Sequence, residues 1–167
     1  MTDLGAWFPV VKVVHLGALV LWLGPSGGVW LALMIERRRT GEPNVISHHL
    51  YLAFLRTLWF QHLGVVLMLG TGVLLLSMYG TAALGLSWVK WKIGLIAAVI
   101  VPIELSDFWF SHKMLPGIFD NRVPDSPYTA AELRQLRVYH RWYTPSVLPL
   151  LLIAVILIMW LAVAKPV

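Results

Sequence analysis

Four long apolar runs divide the chain, at about residues 8–35, 54–78, 88–110 and 142–164. None alternates apolar and polar positions with a period of two, and each is roughly twice the length of a transmembrane β-strand. Each is long enough to cross a hydrocarbon layer ~30 Å thick as a tilted α-helix. The pattern predicts an all-α integral membrane protein, a four-transmembrane-helix antiparallel bundle forming a single domain over residues 1–167. The first run has no basic residues leading into it and no small-residue cleavage site, so it reads as a retained helix rather than a removable signal.

The connections add direction. "ERRRTGEPNVISHHLYLAF" carries Arg37, Arg38 and Arg39, with Arg56 at the mouth of the next run, and "HKMLPGIFDNRVPDSPYTAAELRQLRVYHR" carries Lys113, Arg122, Arg134, Arg137 and Arg141. The opposite side has only Lys12, Lys90, Lys92 and Lys165. This bias predicts cytoplasmic long loops and extracytoplasmic termini, as expected of a multi-pass protein of a bacterial inner (plasma) membrane. Within the third connection, Asp125, Ser126 and Pro127 signal a turn. "TAAELRQLRVYHR" then predicts a helical extension of the fourth span, opened by a capping box of Thr129 and Glu132. No internal repeat is visible, though the first two spans and the last two are expected to pair as hairpins.

Composition agrees with the pattern: 59% of the residues are hydrophobic and 13% charged, with mean hydropathy +0.76. The net charge of +5 suits loops facing anionic lipid, so the expected partner is the bilayer and not nucleic acid. With no cysteine in the chain, disulfides and thiolate-bound clusters are excluded.

Candidate chemistry lies in polar residues at membrane depth, where they are costly and usually face a bundle interior. They sort into two layers. One holds His15 and Lys92; the other holds His62, Glu104, Asp107 and His140. Glu104 and Asp107, one turn apart, need a partner, for which Arg56, His140 and Arg141 are candidates. His15 and Trp22 are two helical turns apart on one side of the first span. Gly17, Gly24, Gly27 and Gly28 would let a flat macrocycle or a neighbouring helix approach. Haem iron takes an axial imidazole in such surroundings, which makes His15, Trp22, His62 and His140 candidate cofactor contacts and His15 and His62 candidate metal ligands. The two lie roughly 10 Å apart along the membrane normal, which favours separate roles. The plainer alternative is a histidine bonded to a neighbouring helix, weighed about equally with ligation for His62. His48, His49 and His112 read as solvated loop histidines, and Trp7, Trp88 and Trp91 as residues of an interfacial belt.

The motif "KVVHLGALVLWLG", with Lys12, His15, Trp22 and Gly24, resembles the first helix of the HemJ-type protoporphyrinogen IX oxidases and related four-helix membrane proteins. The likeness continues at "LGTGVLLL", at "WVKWKIGL" with Trp88 and Lys92, and at the terminal Lys165-Pro166. It implies a haem b-binding oxidoreductase in which His15 binds haem and Lys92 is needed for activity. On this expectation the lysine would position a propionate or substrate carboxylate, and the carboxylates around Glu104 would take up protons released from a porphyrinogen or quinone-type partner. The chain departs from that family at "RWYTPSVLP", which lacks its Asn-Glu pair, and at Gly24-Pro25. A copper-handling protein with a similar His and Trp-Leu-Gly arrangement, and a structural subunit without cofactor, stay open as alternatives. So does a homo-oligomer.

Overall fold

The structure, a computed structural model, describes residues 4–40, 48–120, 123 and 126–166. Four helices dominate it: α1 (Leu4–Thr40), α2 (His48–Tyr79), α3 (Ser87–Phe119) and α4 (Ala130–Ala164). Each is long and apolar enough to cross a membrane, and among the described residues there is no β-strand. Many large apolar side chains on their outer faces are exposed, among them Val13, Val20, Val66, Val73 and Val163. Such a surface suits lipid rather than water.

All four helices overrun the apolar runs that announced them, because a helix keeps its backbone hydrogen bonds after the composition turns polar. α3 continues past Phe110 to Phe119, and α4 begins at Ala130, well before Trp142. Thr129 and Glu132 form the expected capping box at the start of α4. Asp125 of the expected turn lies outside the described residues, as does Arg122. Pro25 does not break α1. At the far end of α4, Lys165 adopts a left-handed conformation (φ 44°) and its N–H bonds Leu161 O at 3.2 Å.

Three π-helical segments interrupt α3 and α4, at Ile96–Ile100, Phe110–Met114 and Val138–Tyr143. Each contains the residue four positions before a proline: Ala98 before Pro102, His112 before Pro116 and Arg141 before Pro145. A proline ring collides with that carbonyl and offers it no N–H. Widening the turn relieves the collision and re-pairs the backbone. The carboxylates Glu104 and Asp107 therefore sit on a short α-helical stretch, Val101–Trp109, between two widened turns.

The helices pair as two hairpins, α1 with α2 and α3 with α4. Closest approach within the first occurs at Gly64, where an added Cβ would lie 2.6 Å from Trp22 N and 2.8 Å from Trp22 Cα. The expected close-approach positions Gly17, Gly24, Gly27 and Gly28 instead have nothing within 4 Å of an added Cβ. The core forms two layers. One centres on Leu33, Tyr51, Phe54, Phe119 and Tyr139, the other on Trp22, Val65, Ile100, Ile103 and Val155. His62, Glu104 and Asp107 are buried between them.

Candidate functional site

The first polar layer is built on α1 and α2. His15 Nδ1 lies 2.9 Å from Thr71 Oγ1, and that hydroxyl spends its single proton on Leu67 O at 2.6 Å. The threonine oxygen therefore accepts from His15, so Nδ1 carries a hydrogen and, in the neutral ring, Nε2 carries the lone pair. The ring packs beside Gly72, where an added Cβ would stand 3.4 Å from His15 Cε1, an ordinary van der Waals contact. Lys92, half-buried on α3, is near enough to act electrostatically on this imidazole. His15 and Lys92 are thus brought together as expected, and Thr71 is an addition the sequence did not single out.

The second layer is more heavily bonded. Trp22 is buried, and its indole N–H donates to Glu104 Oε1 at 2.8 Å. Glu104 Oε2 is also buried and has no protein hydrogen-bond partner. One turn along α3, Asp107 Oδ2 accepts from Gln61 Nε2 at 3.1 Å and lies 3.3 Å from Ser111 Oγ. The Tyr139 hydroxyl donates to Oδ1 at 3.3 Å, while His62 Nε2 stands 3.7 Å from Oδ2.

The carboxylate partners are therefore not those expected from the sequence. Arg56 and Arg141 are exposed on the outside of the bundle. His140 is buried and directs Nε2 to the Tyr51 hydroxyl at 2.9 Å; its neighbour Tyr139 is the residue that reaches Asp107. His112 also departs from expectation. It belongs to α3 rather than a solvated loop, with Nε2 3.4 Å from His62 Nδ1 and its ring 4.3 Å from that of Trp59. His49 lies within α2 and is exposed, while His48 opens that helix and its side chain lies outside the described residues.

A cavity of ≈ 140 Å³ lies between all four helices, lined by Trp22, Trp30, Gln61, Glu104, Asp107 and Tyr143 among others. That is about the size of an engineered cavity that admits benzene, and among the described residues no histidine lines it. A haem macrocycle does not fit there. Of the histidines expected to contact a cofactor, His62 gives Nδ1 to Leu58 O at 2.6 Å and turns Nε2 to Asp107, while His140 is bound to Tyr51. His15 and His62 both leave Nε2 without a hydrogen-bond partner, but His62 is buried beside Asp107 while His15 is only half-buried, which makes His15 the better placed of the two for a ligand. Among the described residues, no group of three or more His, Asp or Glu is placed to hold a bare metal ion.

Comparison with known proteins gives a family defined by sequence. The family model described as "Predicted integral membrane protein (DUF2269)" matches residues 9–166, and the chain belongs to that family. No curated protein and no solved structure matched it.

Proposed function

We propose that this member of the family is a haem b-binding membrane oxidoreductase, in which His15 would hold the iron and Lys92 would face an anionic group. The observation that carries the reading is the Thr71 hydroxyl. By accepting from Nδ1 it fixes the imidazole's orientation and leaves Nε2 as the donor atom, the arrangement found where a metal-ligating histidine is held by a second hydrogen bond. Bound haem would supply one-electron exchange. The chain's own residues do the rest: Thr71 orients His15, and Lys92 offers a point charge to a propionate or substrate carboxylate. The likeness to protoporphyrinogen oxidases favours a porphyrinogen as substrate, with a quinone-type molecule as the other candidate. The charge bias of the loops supports extracytoplasmic termini in a bacterial inner membrane.

The test is cofactor content. The protein, purified from cells supplied with haem precursor and iron, is assayed for haem by pyridine haemochrome and for copper by elemental analysis. Stoichiometric haem b is expected. A colourless protein, with or without copper, overturns the reading.

A further inference from the structure

We propose that Glu104, Asp107 and His62 form a buried proton-loading site, which exchanges protons with the membrane face at the end of α3 through His112. The inference does not depend on haem.

Glu104 is 7% exposed and lines the central cavity, and its Oε2 is buried without a protein hydrogen-bond partner. Among the described residues, no lysine or arginine lines that cavity. A carboxylate oxygen in such surroundings is costly to leave charged and alone, and a proton is the smallest ligand that meets it. Asp107 shares the cavity wall and is faced by Gln61 and His62 from α2, Ser111 from its own helix and Tyr139 from α4. Glu104 is faced by Trp22 from α1.

His62 continues the path because its two nitrogens face opposite ways. Nδ1–H donates to Leu58 O and lies 3.4 Å from His112 Nε2, while Nε2 stands 3.7 Å from Asp107 Oδ2. A proton leaves the Asp107 carboxyl as its O–H bond breaks and an Nε2–H bond forms, giving an imidazolium. The Nδ1–H bond then breaks as an N–H bond forms on His112. No electrons change hands. A flip of the His62 ring, or return of the proton, restores the starting tautomer. A small rotation of the His62 ring closes the 3.7 Å gap to Asp107 to hydrogen-bond length. Glu104 and Asp107 both line the cavity, whose volume of ≈ 140 Å³ is enough for a water that would pass a proton between them.

His112 completes the path. It is half-buried, beside exposed Trp59 and Lys113, and lies in the widened turn opposite Pro116. From Glu104 to His112 is about 12 Å along the helix, so the path reaches the bundle surface near the end of the span.

The experiment is infrared spectroscopy of the protein in lipid nanodiscs. Titration across the range in which the protein stays folded should show a carboxylic acid C=O band that is missing in Glu104→Gln. On transfer to D2O the band should shift quickly in the wild type and at least ten-fold more slowly in His112→Leu, with its position unchanged. His62→Gln should slow it similarly; should that variant fail to fold, His112→Leu decides alone. Absence of any Glu104 carboxylic acid band, or wild-type exchange in His112→Leu, overturns the proposal. A colourless protein would leave this readout intact, so the two proposals fail separately.

Discussion

At the scale of single residues, the two polar layers use hydrogen bonding differently. Thr71 leaves the far nitrogen of His15 without its hydrogen. Thr71→Val should therefore keep the fold but weaken and heterogenise haem binding, seen as a broadened spectrum and faster haem loss to apomyoglobin, whereas Thr71→Ser should resemble the wild type. Trp22 acts through a buried bond to Glu104. Trp22→Phe keeps an aromatic ring but removes the donor to Oε1, and should destabilise the protein by about 1–3 kcal/mol, read as a lower unfolding temperature in detergent. Glu104→Gln retains an acceptor for the indole and should cost less. His15, Lys92, Glu104 and Asp107 were legible in the sequence because a polar residue in an apolar run is conspicuous. Thr71, Gln61, Ser111 and Tyr139 were not, because ordinary polar residues acquire meaning only when another helix is turned towards them. Arg56 and Arg141 illustrate the same limit: their charge suits a carboxylate, but their positions around the helix face outwards.

At the scale of elements, run length predicted the number of helices but not their ends or contacts. A count of apolar residues registers the portion suited to lipid, while backbone bonding carries α3 through His112 to Phe119. That difference turns His112 from a loop residue into a neighbour of His62. The glycines show why packing faces were harder to locate: nearly every face of these helices is apolar, so small residues mark candidate contacts without selecting among them. The structure selects Gly64. Gly64→Val should push α2 from the Trp22 backbone and cost about 1–3 kcal/mol, whereas Gly24→Ala, with open space at its Cβ, should leave the unfolding temperature almost unchanged. The capping box was readable because it is local. Thr129→Ala should cost about 1 kcal/mol, visible as earlier melting of the polar first turns of α4 by hydrogen exchange.

At the scale of the whole molecule, two hairpins enclose a polar layer between two apolar ones. The path from Glu104 towards His112 leads to the membrane face joined by the basic loops, while His15 and Lys92 lie in the other layer. His15 is bonded to Thr71, nine positions beyond His62 on α2, which separates the layers by ~14 Å. If the loop charges orient the bundle, an alkaline phosphatase fused at the C-terminus should be active and a fluorescent protein there dark; the reverse pattern would invert the topology. The four-span architecture was readable because lipid demands a stretch of apolar residues from every helix. The separation between an imidazole site and an acid site was foreshadowed by residue depth, but their partners depended on how the helices rotate. The central claim is that His15 presents a ligand nitrogen. It is tested most directly by reduced-minus-oxidised absorption spectra of the purified wild type, His15→Ala and His112→Leu. A Soret band with resolved α and β bands is expected in the wild type and His112→Leu, and its loss in His15→Ala; an unchanged haem spectrum in His15→Ala, or a colourless wild type, would rule out His15 as the ligand.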